Sequence, residues 1–558
     1  VARYSVRPSD ERAAGMLADA CGLGISAAQI LLNRGIRTPD EAQPFLDATL
    51  AGLSSPASMV DRAEAAARIV QAIRASERIV VFGDYDVDGT TSAVILSEVI
   101  AALGGEVRTL IADRFDGGYG LSAPALGRCL AEGPGLIVTC DCGSSDHERL
   151  AEAQAHGVDV IVVDHHLVPK EPLPAFAFLN PHRPECGFGF KGLCSAGLAF
   201  SLGAALRTQM SAKLDLRPWL DLVAVGTIAD LAPLTDDNRR LVRAGLRRLG
   251  SDACRPSLRA ICQAAKIPDS AQITARDVAF RLSPRLNAPG RLGESELALR
   301  FLMADSREEA WSLLQQVEAL NDERKALTDT ATREALAQVQ ELWGAAPAHG
   351  VVAASDGWHR GVVGIAAARI VDALGVPAAV IALDGNEGHG SVRTAGDFDV
   401  HGALTRCAAC LRGYGGHRAA AGLSLGRDAL DAFRQAFIAA SSSAGRSATG
   451  AIPVDVALGG AFRVPTVEDL YRLGPFGEGH AVPLFQVEAH VVEAAAVGAD
   501  GSHAKLTLEV GQDTFRAFAP SLYERVHGRS DLSLVGEFQP DHWMGGRSVE
   551  LLVKDVLD

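Results

Sequence analysis

The stretch VVFGDYDVDGTTSA, residues 80–93, sets Asp84, Asp86 and Asp88 at alternate positions and closes on Gly89. Three carboxylates this close repel one another unless a cation lies among them. D-x-D-x-D-G also opens the calcium loop of an EF-hand, but that loop needs a glutamate at its twelfth position and a helix in front. Here the twelfth position is Ile95, and the residues ahead read RIVVFG, a short β-branched run of the kind that forms a buried strand. After Gly89, TTSAVILSEVIAALGG has the apolar spacing and terminal glycines of a helix packed back on that strand. The aspartates are therefore expected at the carboxyl end of a strand, where open α/β sheets place their ligands.

Between about 78 and 240 the same rhythm repeats, with RIVVFG, EVRTLIA, GLIVTC, VDVIVVD and AFAFL separated by helical segments. That pattern predicts a parallel sheet and the α/β fold class. A chain of 558 residues is too long for one core, so further domains are expected. Residues 1–75 read as helical and peripheral. A long helix is predicted from Ser306, whose S-R-E-E is a capping box, with apolar residues at Leu313, Val317, Leu320, Leu327, Ala331, Ala335, Val339 and Leu342. It would span on the order of 50 Å and could hold two domains on either side of a groove. From 348 to 440, VVAAS, PAAVIAL and GHGSVRT alternate with GIAAARIVDALG, a second and smaller α/β unit. AASSSAGRSATGA, residues 439–451, reads as a linker. Beyond it LFQVEAHVVEA, AKLTLEV, LSLVGEF and SVELLV predict a small β-barrel.

A formal charge of −15 argues against a general nucleic-acid coat protein but not against a nuclease, because an acidic metal centre adds to the deficit. Two stretches with several arginines and no acid, residues 281–293 and 406–418, are candidate phosphate contacts. The ten cysteines are scattered, as reduced thiols are in a large cytosolic chain. Cys407 and Cys410 form a lone CxxC without a second ligand pair, and Cys140 and Cys142 flank Asp141 on what should be alternate faces of a strand. No apolar run reaches the roughly 20 residues of a membrane span, and residues 1–30 lack a signal-peptide layout, so a cytoplasmic protein without membrane association is expected. The absence of GxxxxGK[ST] argues against a P-loop motor.

Five further acidic or imidazole positions follow apolar runs: Asp141 in IVTCDCG, Asp164 with His165 and His166 in VIVVDHH, and Asp230 in VGTIADL. Carboxylates with neutral imidazole are a usual ligand set for paired Mn²⁺ or Mg²⁺ ions. Two such ions roughly 3.5–4 Å apart can clamp the entering and leaving oxygens of a phosphoryl group.

DYDVDG, TCDCG, DHH, GTIADL, RLNAPGRL and GGHRAAAG, in this order, resemble the motifs of the DHH phosphoesterase superfamily, and within it the RecJ family of bacterial single-strand-specific 5′→3′ exonucleases. The resemblance continues through DRFDGGYGLS, GWHRGVVGIAAARI, GSVRTAGDFDVHGAL and LGPFGEGH, covering nearly everything from about residue 75. It implies a helical segment at 1–75, a parallel-sheet DHH domain at 76–304, a connector helix at 305–346, a smaller DHH-associated domain at 347–440 and an OB-like barrel at 452–558.

By the same resemblance Asp84, Asp86, Asp88, Asp141, His165 and Asp230 match metal ligands, with Asp141 bridging. His166 matches a residue nearer the phosphate and Asp164 one that supports the ligands. Arg114, Arg291, Ser391 and Arg393 match positions that hold substrate phosphates, and His417 a position facing the metals. Two departures stand out: Cys142 and His480 occupy positions where the family commonly has asparagine.

The implied activity is release of 5′-mononucleotides from single-stranded DNA in repair and recombination, with two divalent ions, in a monomer. A single-strand-binding protein and a helicase are candidate partners. The barrel would bind the incoming strand, with Phe485, Phe515, Phe518 and Trp543 as candidate stacking residues against the plainer reading of barrel core. Two other readings use the same motifs: a phosphoesterase of short oligonucleotides, cyclic dinucleotides or pyrophosphate, and a scaffold that binds DNA without cutting it. The barrel and connector favour a long strand over the first, and the filled ligand positions disfavour the second.

Overall fold

The computed structural model describes residues 4–268, 272–442, 451–498, 500–541 and 544–557. It divides into two compact units, Tyr4–Gln315 with Ile452–Asp558, and Gln316–Ala451. The expected linker at 439–451 lies for the most part outside the described residues.

In the larger unit a short strand β1 (Tyr4–Val6) precedes helices Glu11–Cys21, Ile25–Asn33, Pro39–Leu46 and Arg62–Ala75. Five strands follow: β2 (Ile79–Gly83), β3 (Val107–Ile111), β4 (Leu136–Cys140), β5 (Asp159–Val163) and β6 (Ala177–Leu179). They are all parallel, in the order β3-β2-β4-β5-β6. β2 and β4 are buried at every residue, which is why they read as unbroken apolar runs rather than alternating ones. The chain leaves β2 toward β3 on one side and returns to β4 on the other, so the switch point of this sheet is the cleft beyond the ends of β2 and β4. On one face pack the helices Val87–Ala102, Ser195–Gln209 and Leu220–Ala229. Ala125, Leu126, Leu150 and Ala153, from helices Ala123–Ala131 and His147–Ala155, share an apolar cluster with Val80, Ile137 and Val162 on the other.

In the smaller unit β7 (Val351–Ser355), β8 (Ala378–Asp384), β9 (Glu387–Arg393), β10 (Gly413–Gly416) and β11 (Ala420–Gly426) form a mixed sheet ordered β10-β11-β9-β8-β7. The helix Arg307–Trp343 runs for 37 residues, roughly 55 Å. Ala331, Ala335 and Val339 on it pack with Val363 and Ile370, whereas Leu342, expected on the same seam, is exposed. Among the described residues no single helix is long and apolar enough to cross a membrane.

After β12 (Ile452–Val454), which pairs in parallel with β1, and β13 (Val456–Ala457), the chain forms a closed barrel. Its strands are β14 (Phe485–Val497), β15 (His503–Val510), β16 (Asp513–Ala519), β17 (Asp531–Pro540) and β18 (Val549–Leu557), with β14 pairing both β15 and β17. Phe485 and Phe515 are buried edge-on against Phe538 in its core, so they are not stacking platforms. Phe518 is half-buried, and Trp543 lies outside the described residues.

The helices expected to be peripheral are not. Ala14, Leu17, Ala27, Ile30, Leu31 and Leu46 share one apolar core with Phe485, Leu506, Leu534 and Leu551 of the barrel. Arg239, buried on helix Asp236–Leu249, staples this assembly: its guanidinium donates to the carbonyls of Phe45, Arg472 and Leu473 and lies 3.8 Å from the Phe45 ring centroid. Burial and the neighbouring Arg243, Arg34 and Arg240 push that guanidinium down to about 9.

His480 sits beside it, stacked on Phe476 at 5.3 Å, with Nε2 donating to the Leu473 carbonyl and Nδ1 accepting from Arg34. Burial first, then Arg34 and Arg239, lower its pKa to about 3. A histidine held neutral in the fold but titrating near 6.5 when unfolded contributes stability above that pH and loses it as pH falls toward 3. Between pH 7 and 5 this amounts to about 2 kcal/mol. In urea unfolding the wild type should lose about that much more stability over the interval than His480→Asn, whose amide can keep both hydrogen bonds; equal losses would refute the assignment.

Candidate metal centre

Asp84 follows β2, and Asp86 caps the helix Val87–Ala102, its side chain accepting from the Gly89 backbone N–H at 2.9 Å. A Cβ on Gly89 would meet the Asp84 carbonyl at 2.5 Å and its amide nitrogen at 2.6 Å. The glycine is what lets the helix turn pass directly over the strand end, so D-x-D-x-D-G here is a strand-to-helix junction. Asp88 points from the first helical turn onto the start of the helix Ser195–Gln209, where its two oxygens accept from Ser195 N at 2.7 Å and Ala196 N at 2.9 Å. The positive end of that helix offsets part of the cost of a fully buried carboxylate.

Asp141 follows β4 with left-handed backbone, φ 64, and accepts from Ser195 Oγ at 3.1 Å. Asp230 caps the carboxyl end of the helix Leu220–Ala229, which lies close because Gly226 lacks a side chain; a Cβ there would sit 2.4 Å from Thr91 Oγ1 and 2.9 Å from Asp88 Oδ1. His165 Nε2 faces Asp141 Oδ1 at 3.2 Å, Asp230 Oδ2 at 3.7 Å and Asp88 Oδ2 at 3.8 Å.

Three overlapping groups could each hold a divalent cation: Asp84–Asp86–Asp141, Asp88–His165–Asp230 and Asp141–His165–His166, the last only where His166 gives up its proton. The donor set fits such an ion. His165 Nε2 and Asp84 Oδ1 are buried polar atoms without a hydrogen-bond partner, a costly state that a cation would relieve. Burial lowers His165, leaving the neutral imidazole that a ligand must be. Burial and mutual repulsion raise Asp84, Asp88 and Asp141, and raise Asp230 to about 8. These groups have been gathered more tightly than their own charges favour.

Asp164 lies beside the ligand groups rather than within them. One of its oxygens accepts from the backbone N–H groups of His165 and His166 and from His166 Nδ1 at 2.8 Å, and the other from Ser144 N. It pins the loop and orients His166. Burial opposes a charge on that imidazole, but the bond and charge of Asp164 more than offset it and raise His166 to about 9. Tyr119 donates to the Asp141 carbonyl and lies 2.9 Å from His166 Nδ1. Neither Tyr119 nor Ser195 stands out in the sequence, since a tyrosine among loop glycines and a serine at a helix start are ordinary.

Arg114 stacks on the Tyr85 ring at 4.2 Å, its Nε without a partner, within electrostatic reach of Asp84. Arg291 acts electrostatically on the same Tyr85. Ser391, Arg393 and His417 belong to the smaller unit. There Arg393 donates to Ser391 Oγ at 2.6 Å beside the uncapped start of the helix Val363–Leu374, where a Cβ on Gly364 would meet both side chains. His417 is exposed in the turn between β10 and β11. The arginines of 406–418 are engaged within the fold: Arg406 with the Ala440 carbonyl, Arg412 with Glu387 and Arg418 with the Asp397 carbonyl. Cys142 is buried in the apolar cluster behind the sheet, and among the described residues no potential metal group includes a cysteine.

Fold and site define a phosphoesterase of the DHH class. Residues 78–227 match the DHH family N-terminal domain, 348–442 the DHHA1 domain and 459–555 the RecJ OB domain. The chain is 32% identical to the single-stranded-DNA-specific exonuclease RecJ of Bacillus subtilis, over 99% of this chain and 70% of that one, and 32% identical to its Escherichia coli counterpart, over 95% of each. The crystal structure of Thermus thermophilus RecJ with Mn²⁺ superposes with a TM-score of 0.81 at 31% identity, covering 100% of this chain and 79% of that one. A crystal structure of exonuclease RecJ bound to manganese gives 0.60 at 36% identity, over 68% and 94%. The chain belongs to the RecJ family.

Adding Mn²⁺ to metal-free protein, at about 100 times its dissociation constant, should raise the thermal midpoint by about 2 °C or more. Asp141→Asn should remove most of that shift; an undiminished shift would place the ion elsewhere.

Proposed function

We propose that this protein is a cation-dependent exonuclease that removes 5′-mononucleotides from single-stranded DNA in the 5′→3′ direction, in DNA repair and recombination. The observation that carries the reading is the unpartnered His165 Nε2 facing three carboxylate oxygens from distant parts of the chain. Family membership supports the substrate and the polarity.

Asp84, Asp86 and Asp141 would hold one divalent ion, and Asp88, His165 and Asp230 another, with Asp141 close to both. Bound there, Mn²⁺ or Mg²⁺ supplies activation of water and neutralisation of charge on the phosphoryl group. The chain's own residues do the rest. His166, kept cationic by Asp164, presents positive charge and a proton beside Asp141. Arg114, braced on Tyr85, offers a planar guanidinium to a phosphate. Arg291 is a further phosphate contact. In the smaller unit Ser391, Arg393 and the start of the helix Val363–Leu374, which no side chain caps, make an anion-binding corner suited to the strand's terminal phosphate, and His417 is a further residue facing the reaction. The barrel serves the incoming strand. The protein works in the cytoplasm as a monomer, with a single-strand-binding protein and a helicase as partners that deliver substrate.

The test is digestion of 5′- and 3′-labelled single strands beside duplex, with Mn²⁺, Mg²⁺ or chelator. Labelled mononucleotide should appear at once from the 5′-labelled single strand only, and chelator should stop it. Asp141→Ala should lower the rate by at least about 10³-fold. Substantial turnover by that variant, or activity that falls as the strand lengthens, would overturn the reading. Arg393→Ala should raise KM about tenfold or more for a 5′-phosphorylated strand and much less for a 5′-hydroxyl one.

A further inference from the structure

The residue after Asp230 is out of place. The helix Leu220–Ala229 ends in a Schellman motif, with Leu231 N donating to the Ile228 carbonyl and Ala232 N to the Thr227 carbonyl, both at 3.2 Å. That motif requires left-handed backbone at the position of Leu231, where φ is 59. Glycine is the usual occupant because a Cβ is strained there. The other described non-glycine residues with positive φ are aspartate, serine or lysine, so Leu231 is the one apolar side chain among them. Its side chain does not compensate by packing, for it is 69% exposed.

A helix stop alone would favour glycine or asparagine, and a core contact would bury the leucine. The loop is also held firmly, with Leu234 N donating to the Glu478 carbonyl at 2.8 Å. A second large apolar residue, Leu167, follows His166 and is 72% exposed. Each leucine thus stands one residue beyond a metal-competent side chain. On a phosphodiester held by those ligands, the parts that an apolar side chain can meet are the sugar and base beside the phosphate. Strained backbone at such a place points to function.

We infer that Leu231, with Leu167, forms an apolar rim that packs against the deoxyribose and nucleobase of the nucleotide being released. This rests on the nuclease reading given above. Leu231 is a substrate contact and not a metal ligand, and it sets how tightly the terminal nucleotide seats.

The test uses full-length Leu231→Gly, Leu231→Asn and Leu231→Met on a 5′-phosphorylated single strand and on the same strand with abasic 5′-terminal residues. Leu231→Gly and Leu231→Asn should raise KM for the normal strand about 5–20-fold, in the range of one lost base contact. Leu231→Met should stay within about twofold of wild type. On the abasic strand the difference between wild type and Leu231→Gly should shrink below about twofold. The Mn²⁺ thermal shift of Leu231→Gly should equal that of wild type, and its midpoint without metal should rise by about 1 °C as strain is relieved. An unchanged KM, an effect that persists in full on the abasic strand, a lost Mn²⁺ shift or a lowered midpoint would each overturn the inference. Failure of the wild type to degrade either strand would overturn it together with the nuclease reading, whereas cleavage by wild type with an unchanged Leu231→Gly overturns this inference alone.

Discussion

Everything in the larger unit is arranged around holding carboxylates together that repel one another. Asp84, Asp88, Asp141 and Asp164 are all but excluded from solvent, and the last three are each brought in by a different device. Asp88 rests on the start of a helix, Asp164 is enclosed by four donors from the DHH loop and Ser144, and Asp141 is tied to Ser195 through a left-handed turn. The parallel sheet makes this possible because its strands deliver their carboxyl ends to one edge, and the reversal of strand order opens a cleft there. Repulsion left over after these devices is the binding energy available to cations.

Roles within the site divide according to what each side chain has left to offer. Asp164 has little acceptor capacity to spare, so it orients; His165 has a bare Nε2, so it can ligate. Adjacent histidines thereby acquire opposite character, one held neutral by burial and the other kept cationic by its carboxylate.

The parts legible in the sequence were those with local signatures. Fully buried strands read as short apolar runs, and the carboxylates stood directly after them, so the sheet and the edge where those carboxylates gather could be placed. What could not be read depends on contacts between distant segments. Nothing local marks Ala14 or Ile30 as partners of Phe485, so the first helices were expected at the periphery. Phe485 and Phe515 show the same limit: an aromatic in a barrel strand reads alike whether it faces the core or a nucleobase. Tyr119 and Ser195 gain meaning only from the carbonyl and carboxylate they reach. At Leu231 an ordinary residue type concealed an unusual backbone.

The core shared by the first helices and the barrel has a consequence for how the molecule is made. Helices Glu11–Cys21 to Pro39–Leu46 bury their apolar faces in a core whose other members begin at Val456 and continue through the barrel strands, more than 400 residues later. At about 5–20 residues per second, a ribosome leaves those faces unpartnered for tens of seconds while the intervening sheet can already fold. Vectorial synthesis therefore completes this protein from the middle outward, and its earliest-made helices are among the last elements to find their place.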